Sequence, residues 1–312
     1  MCEDNHTEVT VFLLLGFQGL YKFKILFFTL FLLLYVVILN GNLLIIVLIS
    51  IKEHLKIPMF FFLKHLAIAD LLISTSVVPM MLDIILKDEG DVSLVGCIIQ
   101  LYCFAISGSL QSFLIAVMSF DRYLAICNPL RYSSLMNPHV ISQLIIGLWV
   151  LVIILLSSEV IELFQFKYCG PNSIDHFFCD FSPVVELSTS DTSLMLQDFF
   201  VSIVTIFLPF AFIIITYTCI SVTILKISST SGRRKAFSTC SSHLTVVCAY
   251  YGALIIVYVA PPDDSSINMN KYRSLLYMVV SPLKNPMIYS LRNHEIKRAL
   301  QKMMATFKTF CT

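Results

Sequence analysis

Charged residues are scarce in this sequence. Asp, Glu, Lys and Arg together make up 13% of its 312 residues, whereas hydrophobic residues make up 57%. A soluble globular domain usually carries about twice that share of charge, so the composition indicates a polytopic membrane protein. The net charge of only +1 argues against a nucleic-acid-binding surface, because such a surface needs an excess of clustered basic residues.

The motifs of common enzymes are also missing. HExxH, GxSxG and a glycine-rich phosphate loop are absent from the sequence, and the close carboxylate pair Glu159 and Glu162 has no catalytic partner nearby in sequence. Solvation is the favoured interpretation of these two acids, and a place at the rim of a pocket is the alternative. No Cys or His spacing fits a zinc site. We therefore predict no enzyme activity, no structural metal site and no cofactor.

Long apolar stretches recur along the chain. Windows of about 20 apolar residues, the length that crosses a bilayer, predict seven helices near 25–50, 58–84, 95–124, 140–163, 196–225, 238–260 and 273–291. The predicted fold class is an all-α membrane protein, with an N-terminal tail over 1–24, a seven-helix transmembrane domain over 25–291 and a C-terminal tail over 292–312. No removable signal peptide is evident, so the first helix would serve as the signal anchor.

The distribution of Lys and Arg predicts the orientation. These residues concentrate in cytoplasmic loops, so the side with more of them, which includes the C-terminus, is expected in the cytoplasm. The N-terminus is then outside, where Asn5-His-Thr7 forms an N-glycosylation sequon. The richer side carries Lys52, Lys56, Arg122, Arg131, Lys226, Arg233, Arg234, Lys235, Arg292, Lys297, Arg298, Lys302 and Lys308, against Lys22, Lys24, Lys87, Lys167, Lys271 and Arg273 on the other.

An acid and a base stand side by side at the end of the third apolar stretch. No charged residue occurs from Ile98 to Val117, so Asp121 and Arg122 are expected where the helix leaves the bilayer. Charges are expensive there unless they have a use. The pair could be locked to neighbouring helices and, on release, open a cytoplasmic cavity. An interfacial anchor with a snorkelling Arg is the alternative.

The residues around this pair resemble a known family. The block Met118-Ser-Phe-Asp-Arg-Tyr-Leu-Ala-Ile-Cys-Asn-Pro-Leu-Arg-Tyr132 looks like the olfactory (odorant) branch of the rhodopsin-like G-protein-coupled receptors. Lys235-Ala-Phe-Ser-Thr-Cys-Ser-Ser-His-Leu244, at the start of the sixth helix, resembles a specific signature of the same family, and Leu14-Leu-Gly-Phe17 resembles its short extracellular motif. The resemblance covers the chain from Leu14 to Asn293.

The resemblance assigns two groups of polar residues. The first would couple to the G protein or act as a conformational switch, and it consists of Asp121, Arg122, Tyr123, Asn285, Pro286 and Tyr289. The second is an intramembrane polar site formed by Asn42, Asp70 and Gln111. Asp70 resembles the sodium and hydrogen-bond site of rhodopsin-like receptors. Gln111 stands where the family usually has an acid, however, which should weaken sodium binding.

Three further features follow the family pattern with departures. Cys97 and Cys179, both expected on the oxidising outer side, resemble the family's disulfide partners. Thr189 replaces the cysteine that would pair with Cys169, so Cys169 is expected to be unpaired. Lys284 replaces an aliphatic residue, and it either snorkels toward lipid phosphates or weakens the fold. The mixed basic and apolar residues from 295 to 307 predict an amphipathic helix along the cytoplasmic face.

The function implied by the resemblance is a plasma-membrane receptor for a small, volatile, lipophilic molecule. Its partners would be this odorant, membrane lipid and a heterotrimeric G protein, usually of the stimulatory, cyclase-activating type. One alternative is an odorant-type chemosensor outside the nose. Another is a small-molecule transporter, although many transporters have internal repeats and none is evident here.

The resemblance to rhodopsin-like receptors implies a ligand site between the third, fifth, sixth and seventh helices. Helical spacing places several side chains of the third helix on one face, and Gly108 would leave room beside them. The resulting pocket is predicted to be mostly apolar, with a few hydroxyls and no charge, and therefore suited to a neutral lipophilic molecule. The predicted contacts are Phe104, Gly108, Ser109, Ser112, Ser202, Ile206, Tyr251, Ile255, Tyr258 and Met278.

Overall fold

The computed structural model describes residues 9–17, 23–168, 172–188, 193–258, 267–292 and 295–301. Helices dominate these segments. In chain order they are α1 (Lys24–Ile51), α2 (Pro58–Lys87), α3 (Leu94–Cys127), α4 (Pro129–Leu135), α5 (Pro138–Gln165), α6 (Phe181–Glu186), α7 (Ser193–Ser202), α8 (Leu208–Lys226), α9 (Thr230–Tyr258) and α10 (Ile267–Arg292). A 3-10 turn, Glu53–Leu55, follows α1, and a π-helical turn, Ile203–Phe207, joins α7 to α8.

The seven predicted helices correspond to α1, α2, α3, α5, α7 with α8, α9 and α10. Over the described part of the chain, five of these are long and apolar enough to cross a membrane, and α9 is a sixth when its two parts, bent by 40°, count as one span. The last helix, α10, is more polar because it carries Lys271, Arg273 and Lys284, but it packs against α1, α2 and α9. The predicted helical membrane bundle is therefore confirmed.

Local sequence signals explain where several helices begin. Pro58 occupies the first turn of α2, as predicted, where its missing N–H leaves no hydrogen bond unmade. The N-cap of α3 is Ser93, whose hydroxyl accepts from the Gly96 N–H at 3.1 Å, and Asn137 caps α5 in the same way. By contrast, α9 begins at Thr230 rather than near 238, because hydropathy windows miss its polar first turns.

The outside of the bundle is apolar. Large aliphatic side chains such as Ile25 and Leu33 on α1, Ile154 on α5 and Ile215 on α8 are exposed, which suits contact with lipid and would be unfavourable in water. The interior is built from other side chains of the same kind, including fully buried Leu66 on α2 and its neighbours on α3.

A small sheet that sequence periodicity did not predict covers one end of the bundle, here called the outer end. Its central strand is β1 (Val11–Leu14), which pairs antiparallel with β2 (Gly90–Ser93) and parallel with β3 (Ser173–Ile174). Phe12 and Leu14 point inward and are fully buried. The strands have two to four residues, which is too short for a recognisable alternating pattern.

A disulfide holds the loop after α5 against the outer end of α3. The bond joins Cys97 to Cys179 and confirms the predicted pair. Gln100 strengthens the attachment, because its side-chain oxygen accepts from the Cys179 N–H at 2.9 Å while its nitrogen donates to the Ser76 carbonyl at 2.8 Å. Cys169 and Thr189 lie outside the described residues.

The C-terminal helix is amphipathic over the part that is described. Residues 295–301 are helical. Ile296 and Ala299 are buried against the bundle, whereas Lys297 and Arg298 are exposed. This arrangement confirms the predicted amphipathic helix, whose remaining residues, 302–307, lie outside the described range.

Candidate functional site

Two adjoining cavities lie in the outer half of the bundle, beneath the disulfide-tethered loop. Their volumes are about 120 Å³ and about 390 Å³. Side chains from α3, α5, α7, α9 and α10, the π-helical turn and the residues around the start of α6 form their walls. The two cavities share Asp180, Phe181, Asp198, Ser202, Ile206 and Leu254, so they form one region, here called the outer cavity.

Seven of the ten predicted contacts line the outer cavity: Phe104, Gly108, Ser109, Ser202, Ile206, Tyr251 and Ile255. Two others lie outside its lining. Ser112 is fully buried with its hydroxyl 2.8 Å from that of Tyr251, and Met278 packs in the hydrophobic core. For Ser112, helical spacing identified the face of α3 but carries no information on depth. The side chain of Tyr258 lies outside the described set.

Gly108 lines the outer cavity, and two tyrosines approach it there. A Cβ atom on this residue would lie 3.2 Å from the hydroxyl oxygen of Tyr277, and the Tyr250 hydroxyl donates to the Gly108 carbonyl at 2.7 Å. These tyrosines, from α9 and α10, bound the space beside Gly108, which sequence spacing along α3 does not show. The use of this space by a ligand stays a prediction.

The predicted absence of charge is also wrong, because three carboxyl groups line the outer cavity. They belong to Glu159 on α5, Asp180 in the loop and Asp198 on α7. Glu159 is only 4% exposed, so the favoured solvated position is incorrect: the outer end of α5 turns this side chain into the bundle. Asp180 caps α6 by accepting from the Phe181 N–H at 2.9 Å, and burial raises the pKa of the Asp180 carboxyl.

A buried lysine joins the N-terminal segment to the loop after α5, which covers the outer end of the bundle. Lys271 of α10 is 1% exposed, donates to the Gly16 carbonyl at 2.7 Å and forms an ion pair with Asp175. Phe17 stacks on Phe177 with ring centroids 5.0 Å apart. The motif Leu14–Phe17 thus anchors the N-terminal strand over the outer end. Sequence reasoning counted Lys271 only as a loop charge.

His176, in the loop after α5, is neutral at physiological pH. Burial, reinforced by the positive charge of Lys271, lowers the pKa of His176 to about 3. Its ring packs between the rings of Phe177 and Phe178. His176 therefore acts as an aromatic packing group of this loop.

At the opposite, inner end of α3, the predicted acid and base bind each other. Asp121 is fully buried, and Arg122 donates to it through both Nε, at 3.0 Å, and Nη2. A third member, Tyr132 of α4, donates its hydroxyl to Asp121 at 2.8 Å. Burial and the charge of Asp121 raise the pKa of Tyr132. Tyr132 belongs to the quoted sequence block, but nothing in that block indicated its contact with Asp121.

The sixth predicted helix presents its histidine to the bundle interior at this same end. His243 of α9 is buried, with Nδ1 2.6 Å from the Tyr217 hydroxyl and Nε2 3.2 Å from the Ile115 carbonyl. These contacts connect α9 to α8 and α3. Cys240, one turn earlier, is also buried, whereas Phe237 is exposed. The block from Lys235 to Leu244 therefore has one face toward protein.

The intramembrane polar residues form separate hydrogen-bonded pairs. Asn42 donates to the Pro282 carbonyl at 3.1 Å, and Asn285 donates to the Asp70 carboxylate at 2.8 Å. Gln111 accepts from the Ser281 hydroxyl at 3.0 Å. All three bonds end on α10, where Pro286 packs against Gly41 of α1. The Tyr289 side chain lies outside the described residues.

Lys284 points into the bundle. Its Nζ atom is buried and has no hydrogen-bond partner among the described residues, so the first of its two predicted alternatives, snorkelling to lipid phosphates, is not what the structure shows. Lys284 directly precedes Asn285, which donates to the Asp70 carboxylate. A sodium ion fits this site poorly, because Asp70 is the only carboxylate among Asn42, Asp70 and Gln111 and the chain adds a buried positive charge on the same helix segment. In the described segments, no group of three His, Cys, Asp or Glu residues could hold a metal.

This architecture defines a class of membrane receptor. A bundle of long apolar helices encloses a cavity under a disulfide-tethered loop, and the helix that lines the cavity ends in a buried Asp-Arg pair. These are the features expected of a seven-helix receptor that couples to G proteins.

Comparisons with known proteins identify the family. The olfactory receptor family profile matches residues 31–307. The mouse protein Olfactory receptor 5P81 is 47% identical over 309 residues, which cover 99% of this chain and 98% of the relative. Mouse Olfactory receptor 5P79 is 47% identical over 311 residues, with the same coverage. The chain belongs to the olfactory receptor family. It is therefore a multi-pass membrane protein that binds odorants and signals through G proteins, and not an enzyme.

Proposed function

We propose that the odorant binds in the outer cavity and that the receptor activates a stimulatory, cyclase-activating G protein through the inner end of α3. The observation that carries this proposal is the placement of the two sites on one helix. Phe104, Gly108 and Ser109 line the cavity, and Asp121 and Arg122 lie further along α3 in the buried pair.

Contacts between α3 and α9 support communication between the two ends. Tyr251 lines the cavity and binds the Ser112 hydroxyl just beneath it. Closer to the inner end, His243 of α9 contacts the Ile115 carbonyl of α3. A ligand that displaces Tyr251 would shift α9 relative to α3. Such a shift favours activation only if the ligand binds the shifted state more tightly.

The proposed orientation has the N-terminus outside the cell and the C-terminus in the cytoplasm. The Cys97–Cys179 disulfide needs an oxidising compartment and lies at the same end as the N-terminal strand. The bias of Lys and Arg toward the inner side supports the same arrangement. The division into tail, seven-helix domain and C-terminal tail, with glycosylation at Asn5, belongs to this proposal. Glycosidase treatment should increase the mobility of the wild-type protein but not that of Asn5→Gln.

The coupling proposal is tested in cells that carry a cyclic-AMP reporter. We expect at least one member of a panel of volatile alcohols, aldehydes, ketones, acids and amines to raise cyclic AMP in cells that display the receptor. A parallel calcium reporter identifies other G-protein types. A response only through calcium would contradict the stimulatory assignment, and no response through either reporter at normal surface expression would contradict the proposed coupling.

A further inference from the structure

The ionisable side chains that line the outer cavity in the described residues are mainly acids. Glu159, Asp180 and Asp198 line the same cavity. The described lining residues include no Lys, Arg or His. The described part of the lining therefore supplies no cation to these acids.

Of the three acids, Glu159 is buried and lacks a hydrogen-bond donor for one oxygen among the described residues. Its side chain is 4% exposed and lines the cavity, and its Oε1 atom has no hydrogen-bond partner among the described residues. A buried carboxyl oxygen without a donor is unfavourable, and a buried carboxylate is stable only beside a cation or several hydrogen-bond donors. No described residue supplies this partner, so the site favours a ligand that brings one.

Apart from the acids and several hydroxyl groups, the cavity wall is apolar. Leu101 and Phe104 of α3, Leu156 of α5 and Leu254 of α9 line it, and the larger part adds Phe207 and Phe210. Such a wall gains free energy by burying a hydrocarbon chain, at about 25 cal/mol per Å². The cavity thus combines a carboxylate group at one side with a hydrocarbon-binding surface.

We propose that the odorant is a lipophilic amine, whose ammonium group binds Glu159 and Asp198 while its hydrocarbon part occupies the apolar region. This inference rests on the proposed ligand site and narrows its ligand class. An alkyl ammonium, like the side chain of Lys, is charged at neutral pH and supplies up to three donors. It therefore provides both the charge and the hydrogen bonds that Glu159 lacks.

A neutral odorant is the competing occupant. The three acids could stay protonated, because like charges at close range and burial both oppose ionisation, and a protonated Glu159 could bind an alcohol or carbonyl compound. Hexylamine and 1-hexanol separate these two cases, since they share a hydrocarbon chain and differ in the charge of the head group.

The experiment measures binding without the G protein. Full-length receptor in lipid nanodiscs is heated with increasing hexylamine or 1-hexanol, and the rise of the unfolding midpoint gives the apparent affinity. We expect hexylamine to bind at least ~30-fold more tightly than 1-hexanol, because removing one partner of a buried charge pair typically has an effect of that size or larger. Glu159→Gln should lose this preference. Glu162→Gln, one turn further along α5 and outside the cavity lining, should keep it.

The outcomes are distinct. Equal binding of hexylamine and 1-hexanol, no binding of hexylamine, or an unchanged preference in Glu159→Gln would overturn the amine proposal. If Glu159→Gln does not fold, as its unliganded midpoint would show, Asp198→Asn serves as the second variant and should also weaken hexylamine binding. Glu159-dependent binding of hexylamine without any cyclic-AMP response would leave the amine site standing and contradict the coupling. A cyclic-AMP response to neutral compounds, without hexylamine binding, would support the coupling and contradict the amine site.

Discussion

Two buried acids at opposite ends of the bundle have opposite surroundings. Asp121, at the inner end of α3, receives hydrogen bonds from Arg122 and from Tyr132. Glu159, at the outer end of α5, has an oxygen without any partner among the described residues. Both side chains are at most 4% exposed. Among the described residues, the inner acid thus has its partners within the chain, whereas the outer acid lacks a donor that the proposed ligand would supply.

This difference suggests how the receptor separates recognition from output. A fully bonded acid holds one conformation until its partners move, which suits a switch. An acid without a partner gains most from a ligand that supplies one, which suits a binding site. Three of the predictions below alter one end or the other and compare the change with a matched variant, and the last alters the polar site between the ends.

Arg122→Ala should have the largest effect. It removes the ionic partner of Asp121 and the charged group at the inner end of α3, so agonist-induced cyclic AMP should fall to background while surface expression persists. Arg131→Ala, an exposed arginine on α4, is the matched control and should retain a response. Normal signalling by a surface-expressed Arg122→Ala receptor would contradict the assigned role of this pair.

Gly108→Leu should reduce the potency of every agonist by ~10-fold or more, because overpacking costs about 1–3 kcal/mol. The new side chain meets Tyr277 and the cavity wall. Gly147→Leu on α5 is the control, since nothing lies within 4 Å of the position that its Cβ would take. Dose-response curves measure the effect. Unchanged potency in Gly108→Leu at normal surface expression would place the ligand elsewhere.

Tyr132→Phe should raise basal cyclic AMP by roughly 10-fold, because a hydrogen bond to a charged group stabilises a structure by about 1.5–3 kcal/mol and this one holds Asp121 in its bonded state. The ring and its packing remain. Ser133→Ala, at the exposed neighbouring position, should leave basal signalling unchanged. Basal cyclic AMP at matched surface expression is the measurement, and equal values for the three proteins would show that the hydroxyl does not restrain the switch.

Lys284→Leu should have the smallest effect, a change in the response to sodium. In the wild-type protein the ammonium of Lys284 provides the positive charge near Asp70, so replacing sodium with choline should not alter the unfolding temperature. The variant lacks this charge, and sodium should raise its midpoint by about 1–3 °C. A sodium-dependent midpoint in the wild type would show that Lys284 does not exclude the ion.

The sequence predicted the positions and order of the helices well, but it predicted poorly how deep individual side chains lie in the bundle. Hydropathy located all seven helices because each needs an apolar stretch long enough to cross the bilayer. Motif resemblance identified Asp121, Arg122 and the Cys97–Cys179 bond. It missed Tyr132, because the contact with Asp121 depends on how α4 folds back against α3.

The outer cavity shows the same limit of prediction from sequence more clearly. Periodicity along α3 selected the face that lines the cavity, but it included Ser112, which lies outside the lining, and Tyr277 of α10 was not predicted. For Glu159 a pocket rim was only the less favoured alternative, and Asp180 and Asp198 were not predicted, because the three acids come from three separate segments. Only the packing of α5 and α7 under the loop brings them together, and no spacing along the chain records that packing.

The most direct test of the contrast between the two acids is a cryo-electron microscopy structure of the receptor in nanodiscs with saturating hexylamine. The account predicts ligand density in the outer cavity, with the amine nitrogen within about 4 Å of the Glu159 carboxylate and the hydrocarbon chain against Phe104 and Leu254. A Glu159 carboxylate bonded to a donor of the receptor itself, with no amine beside it, would contradict the account.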